Sequence, residues 1–456
     1  VSTAEQVRPE VTGEQARRAH GKAARERAPL ADLGNWNPAT RGHDALATVL
    51  SQESIRQTDL LPIRHSRMAA SPWTYYRGAA AVAAADLGSR PHSGLNVQLC
   101  GDAHVLNFGL WATPERSLAF DLRDFDETLP GPFEWDVARL VASIVVLARD
   151  TGVAPAVAEQ AVAACLLAYR KRMSGYTTAN QLDIWYDLVK VEEFLSVFSR
   201  SDRKRGSVGI AKKAQKRTSA GAARKLTEVV DGRLRITEEP PIRRHLKDGV
   251  AESVYTAYRQ SLQEDRRQLL DRFTPVDGVQ QIVGVGSVGM RVYLVLLNGP
   301  NQHDPLFLQI KQAGPSVYEP FCGASTHTNH GQRVVTGKRL IQSATDIFVG
   351  WTTAGGNDYY VRQFRDMKVI ADGAILAPRL VEFATACGGV LARAHARTGD
   401  PIAIDAYIGK GRKFDEALGA FALAYADQTE ADHRQFADAV AGNTISSAVG
   451  GIGPLE

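Results

Sequence analysis

Between Cys100 and Glu127 the chain reads C-G-D-A-H-V-L-N-F-G-L-W-A-T-P-E-R-S-L-A-F-D-L-R-D-F-D-E. Asp102 lies five residues before Asn107, and Asp124 and Asp126 flank Phe125 after a short hydrophobic strand. Any fold of this chain has to dispose of these oxygen-rich clusters, and bringing them together yields a recognisable chemistry. Phosphoryl transfer gains its rate from setting a hydroxyl in line with a phosphate and from neutralising charge with Mg²⁺, so a base, an amide oxygen and a carboxylate suffice. Asp102 is the expected base. Asn107 and Asp124 are the expected Mg²⁺ ligands, because that hard cation selects oxygen. Asp126 competes for the metal, taking a second ion or orienting the loop. His104 is the other candidate catalytic residue, although a role as a loop brace suits its position better. The bland alternative is that Asp and Asn merely shape turns here.

A second unit is expected far downstream. Gln280 to Leu297, Q-I-V-G-V-G-S-V-G-M-R-V-Y-L-V-L-L, holds Gly284, Gly286 and Gly289 in G-x-G-x-x-G spacing, with Ser287 inside the turn. That spacing alone also fits a dinucleotide-binding loop. A dinucleotide loop opens a helix, whereas Arg291 to Leu297 is β-branched and alternating, so the pattern predicts strand, glycine turn and strand. The following strand, L-F-L-Q-I-K-Q-A, ends in Lys311. A lone lysine there would read as a solvated cap, but after a glycine hairpin it reads as functional, and its strand resembles the kinase V-A-I-K strand, a resemblance that implies contact with nucleotide phosphates.

Gly101, Asp102, His104 and Asn107, followed by Asp124, Phe125 and Asp126, resemble the G-D-x-H-x-x-N loop and I-D-F-D-like segment of the protein-kinase-like superfamily. The likeness is closer to its aminoglycoside and choline phosphotransferase branch. Gly131, Pro132, Trp135, Asp136 and Arg139 are similar to that branch's next stretch, in which a buried Asp braces the catalytic loop. The chain also resembles an uncharacterised bacterial domain-of-unknown-function family (DUF2252-like) through R-M-A-A-S-P-W-T-Y-Y-R-G-A at Arg67 to Ala79, the G-D-A-H loop, and D-Y-Y-V-R-Q-F-R-D-M-K at Asp358 to Lys368. The kinase resemblance implies ATP and Mg²⁺ as cofactors and a hydroxylated acceptor, more readily a small molecule than a protein. It also implies a Glu partner for Lys311. Glu319 is the nearest candidate, while the helix expected at about 331–344 contains no acidic residue.

Relative to that superfamily the parts come in an unusual order, catalytic loop first and glycine hairpin later. The expected fold class is therefore α+β, a bilobal kinase-like fold that is circularly permuted. Its divisions would be a flexible arm over 1–40, a large helical lobe over 41–273, a small β-rich lobe over 274–370 and returning helices over 371–456, with a hinge at Arg365 to Lys368. Relocated termini are tolerated because contacts, not chain direction, hold a fold. This arrangement requires Lys311 to face Asp124 across a cleft, within about 16 Å, two Debye lengths at physiological salt.

The 456 residues suffice for two lobes, and the hydrophobic and charged fractions of 44% and 23% are those of ordinary globular chains. A net charge of +4 does not predict nucleic-acid binding, although basic residues crowd 203–225, as a solvated face or as an arm for an acidic ligand. Four scattered cysteines argue against a zinc site or disulfide framework and favour a cytoplasmic location. The N-terminus has no signal-like apolar core, and no stretch reaches the roughly 18 apolar residues of a membrane helix. A zinc hydrolase lacks its other His ligands, and a retaining glycosidase its second carboxylate. Two readings stay beside phosphotransfer: a nucleotide-binding regulatory pseudokinase without turnover, and nucleotidyl transfer on the same fold. Arg362 and Arg365 could neutralise phosphates or pair with carboxylates, and Trp73, Tyr75, Tyr76 and Arg77 read as core or lobe-interface packing, with a substrate role as the alternative.

Overall fold

A computed structural model describes residues 13–198, 216, 218–245, 249–301, 304–364 and 373–448 of the chain, which is mixed α+β. The expected hinge at Arg365 to Lys368 and most of the basic segment 203–225 lie outside the described residues. The helix α1 (Glu14–Arg27) stands in the stretch expected as a frayed or partly helical arm. Arg25 donates to the carbonyls of Tyr407 and Ala406, and a Cβ on Gly21 would sit 2.0 Å from the Ala403 carbonyl oxygen. The arm is thus docked by close backbone approach, a contact that small Ala and Gly residues permit and that composition alone does not announce.

Next come α2 (Leu61–Ala69) and α3 (Pro72–Gly78), the second started by a Ser71–Thr74 capping box. The strands β1 (Asn96–Leu99), β2 (Phe108–Ala112), β3 (Leu118–Leu122) and β4 (Leu129–Pro132) form two nested antiparallel pairs. β1 pairs with β4, Leu99 opposite Leu129, and β2 pairs with β3, Phe108 opposite Leu122. Nesting has a direct consequence. The connections 100–107 and 123–128 must run side by side, so residues some twenty positions apart share one loop bundle.

α4 (Phe133–Asp150) is apolar on nearly every side and buried along almost its whole length, as its V-A-R-L-V-A-S-I-V-V-L-A run requires. α5 (Pro155–Tyr176) follows and packs against the returning helices.

The β-rich unit begins earlier than residue 274, which corrects the expected boundary. α6 (Ser219–Leu226) and the hairpin β5 (Thr227–Val230) and β6 (Arg233–Ile236) lead to β7 (Arg243–His245) and α7 (Val250–Tyr258). β8 (Thr274–Gln281), β9 (Val292–Asn298) and β10 (Pro305–Ala313) precede α8 (His330–Ile341), β11 (Gly350–Ala354) and β12 (Asn357–Gln363). One antiparallel sheet runs β11-β12-β10-β9-β8-β7. Val254 and Tyr258 of α7 pack on one face with Val295, Leu308 and Ile310. Ala222, Leu226 and Ile236 pack on the other with Leu294, Leu296 and Phe307. Residues 219–273 belong with this sheet because it needs both faces covered, which is also why its central strands are almost continuously apolar.

The chain returns through α9 (Leu380–Thr398), α10 (Pro401–Ile408) and α11 (Lys413–Ala441), packed on α5, α1 and α4 respectively. A buried ion pair, Arg393 Nη2 to Asp121 Oδ1 at 2.5 Å, ties α9 to the β2–β3 hairpin. All four cysteines are unpaired. Among the described residues no helix is long and apolar enough to cross a membrane.

Candidate active site

The loop 100–107 is made rigid from behind. Asp136, fully buried at the start of α4, accepts the backbone N–H of Cys100 at 2.6 Å and of Gly101 at 3.0 Å. Gly101 has φ +85°, and a Cβ there would lie 2.3 Å from the Glu127 carbonyl oxygen, so only glycine lets the two loops touch. Asn107 completes the stitching. Its Nδ2 donates to the carbonyls of Asp102 (2.9 Å) and Asp124 (3.0 Å), and its Oδ1 accepts the Asp124 N–H at 2.9 Å. Asn107 is 2% exposed and does not line the cleft. Asn107, expected as a metal ligand, thus also braces the two loops through their backbone, with one acceptor position of Oδ1 occupied by the Asp124 N–H.

Asp102 reaches the cleft wall with one oxygen held. Oδ1 accepts Arg139 Nε at 2.8 Å and pairs with Arg139 Nη2 at 2.7 Å, while Oδ2 stands 3.9 Å from His104 Nε2. Burial raises the Asp102 carboxyl above its ordinary range, with Arg139 pulling the other way. Burial and then neighbouring arginines, Arg77 first, push His104 well below the usual imidazole value, so it is neutral, edge-on to Trp73.

On the sheet side, period-two alternation along β10 sends Leu308 and Ile310 to the α7 core and Gln309 and Lys311 toward the cleft. Register puts Lys311 opposite Tyr360 and Gln309 opposite Arg362. Lys311, 2% exposed, places Nζ 2.7 Å from Asp126 Oδ2 and 3.5 Å from Asp124 Oδ1. Burial opposes its charge, but the two carboxylates outweigh that cost and hold the ammonium above its ordinary pKa. Tyr360 donates its hydroxyl to Asp126 Oδ1 at 2.6 Å. Glu319 does not pair with Lys311. Its carboxylate accepts the Ser316 N–H at 3.1 Å and lies 3.9 Å from His330, because the turn at Pro320 carries it away from the strand.

Residues 282–291 form the turn between antiparallel β8 and β9, as the glycine spacing predicts. Gly284, Gly286 and Ser287 line the cleft, whereas Gly289, at φ +89°, packs on Arg56 outside it. Arg64 donates to the carbonyls of Val285 (3.1 Å) and Gly78 (2.8 Å), and Arg56 to that of Val288 (2.5 Å), so helices of the other unit hold the turn down. The cleft between the two sides has a volume of about 1130 Å³. Arg362 lines it, its Nε and Nη2 directed to Gln309 Oε1 at 3.1 and 3.0 Å. Glu127 lines it too, and burial pushes its carboxyl up to about 7.

Two side chains of this site, Arg333 and Lys338, escape a reading of motifs, and a third, Arg77, is placed otherwise than as simple packing. α8 carries no glutamate but Arg333, which donates to the carbonyls of Thr128 (2.7 Å), Asp126 (2.8 Å) and Gly314 (2.8 Å) and so fastens the acidic loop. One turn on, Lys338 faces the cleft 7% exposed, with no hydrogen bond or ion pair to any described residue, and burial pushes its pKa down to about 8. Its place on the Val334, Ile341 stripe was the available signal, since a lysine on an apolar stripe is either snorkelling or functional. Arg77 follows Trp73 by one helical turn and lies over its ring, 6.0 Å from the centroid.

For Mg²⁺, no group of three or more ligating His, Cys, Asp or Glu is gathered among the described residues. Asp124 and Asp126, with 47% and 34% of their side-chain surface exposed, supply two carboxylates. That donor set fits a cation which keeps several waters and arrives with a phosphate ligand.

A mixed α+β chain with carboxylates on one wall of a cleft and a lysine strand and glycine turn on the other is the class that the geometry defines. Residues 56–439 match the family described as an uncharacterized protein conserved in bacteria, DUF2252, and the chain belongs to that family. No curated protein and no solved structure matches the chain.

Proposed function

We propose that this protein is an ATP- and Mg²⁺-dependent phosphotransferase acting on a hydroxyl group, more readily of a small molecule than of a protein, on a circularly permuted kinase-like fold. The observation that carries this reading is the meeting of Lys311 with Asp124 and Asp126 from loops about 185 residues away. In this reading Gly284, Gly286 and Ser287 cover the phosphates, Lys311 contacts them, and Asp124 is the principal metal ligand. Asp126, held by Lys311 and Tyr360, takes a supporting place. The metal, when bound, neutralises phosphate charge. Asp102 Oδ2 takes the acceptor proton as the acceptor oxygen bonds to the terminal phosphorus and ADP departs. Burial, which raises the Asp102 pKa, strengthens it as a base, while Arg139 fixes its orientation.

The commitment of the Asn107 amide to backbone favours a second reading, nucleotide binding without turnover. Calorimetric titration with ATP, with and without Mg²⁺, tests the first step. Lys311→Ala and Asp124→Ala are each expected to weaken metal-dependent binding about tenfold or more. Asp102→Asn is expected to leave binding nearly intact and to lower transfer by about 10²–10⁴. Transfer that survives Asp102→Asn overturns the base assignment, and ATP binding without transfer to any hydroxylated acceptor favours the second reading.

A further inference from the structure

We propose that the guanidinium of Arg77 is an oxyanion-binding group set beneath the glycine turn, where it holds oxygens of a nucleotide's terminal phosphate; naming that phosphate rests on the phosphotransferase reading, the anion site does not. Arg77 ends α3 in the unit that carries the acidic loops, yet it reaches the opposite wall. A Cβ built on Gly284 would lie 3.8 Å from Arg77 Nη2, and one on Gly286 would lie 3.4 Å from the Arg77 carbonyl oxygen. Trp73 supports the guanidinium from one side. Asp102 and Asp124 act on it through charge, but neither forms an ion pair with it.

The other arginines of this wall each hold a backbone carbonyl, although Arg56 Nε, Arg64 Nε and Arg67 Nη2 are likewise buried without a partner. Arg56, Arg64 and Arg67 direct N–H groups to the carbonyls of Val288, Val285 and Val283. Arg77 makes no hydrogen bond or ion pair to any described residue, and its Nε is buried without a partner. A guanidinium carries five donors in a planar fork, does not deprotonate in proteins, and matches the oxygens of a phosphate. Its buried Nε lacks a partner at a cost, and a bound oxyanion offsets that cost while engaging the rest of the fork. Its position between the glycine turn and Asp102 is where the last phosphate of a nucleotide under that turn would stand.

Binding of MgATP, MgADP and inorganic tripolyphosphate to the full chain tests this, with Arg77→Gln and Arg77→Lys compared by thermal melting to the parent. Arg77→Gln is expected to weaken ATP and tripolyphosphate about tenfold or more and ADP less than about threefold. Arg77→Lys, which keeps charge without the fork, is expected to fall between and carries the test if the glutamine variant does not fold. Unchanged ATP affinity in a folded Arg77→Gln chain, or equal losses for ATP and ADP, overturns the proposal. Tripolyphosphate binding that depends on Arg77 in a chain indifferent to nucleotides supports the anion site and removes the nucleotide reading instead. A parent chain that binds none of the three overturns the site.

Discussion

The two walls of the cleft are built on opposite principles. On the acidic wall nearly every polar group is satisfied by the chain: Asp136 takes the N–H groups of Cys100 and Gly101, Asn107 joins both loops, and Arg139 holds Asp102. On the facing side Lys311 is held by Asp124 and Asp126, whereas the side chains of Arg77 and Lys338 make no hydrogen bond or ion pair to any described residue. The difference teaches where preorganisation lies. Under the proposed function the carboxylates are braced from behind, while Arg77 and Lys338 are left open to a ligand.

The largest effect is expected from breaking the braced wall. Asp136→Ala removes two charge-assisted hydrogen bonds at a fully buried position and leaves two N–H groups unmatched. It should lower stability by about 3–5 kcal/mol in denaturant unfolding. A loss under about 1 kcal/mol would mean that the loop holds its shape without this brace.

The open wall should respond with the opposite sign. Burial lowers the Lys338 pKa from 10.5 to about 8, so between those values the unfolded chain binds more protons than the folded one. Stability contributed by this position therefore rises with pH across that window, and below about pH 8 the cost is present in full. Lys338→Met is expected to stabilise by about 1–3 kcal/mol at pH 7, and the gap to the parent should close as pH rises toward 10.5. Destabilisation at pH 7 would show that Lys338 has a partner and would erase the contrast between the walls.

The smallest effect concerns the carboxylate that stands apart from both. Glu319 contacts Ser316 and His330 but not Lys311, so Glu319→Gln should change MgATP affinity by less than about twofold. A tenfold loss would require Glu319 to move onto Lys311 when nucleotide binds.

Much of the local order was legible in the chain. The glycine hairpin and the Lys311 strand follow from periodicity and turn chemistry. The docking of residues 13–40 was not legible because Gly21 packs by backbone proximity, which leaves no run of large apolar residues. The start of the β-rich unit was misjudged because α7 shows its apolar face only against a sheet that comes later.

The sequence by itself determined which groups could do chemistry: Asp102, Asp124, Asp126 and Lys311 were marked by residue type and spacing within single segments. Tertiary structure alone decided their partners. It committed the Asn107 amide to both loops, set Asp126 rather than Glu319 against Lys311, and opened Arg77 and Lys338 to the cleft. The reason is physical. Spacing along a chain fixes which side chains share a face, whereas burial and partnership depend on segments hundreds of residues away, and these set whether a polar group is satisfied or left for a ligand.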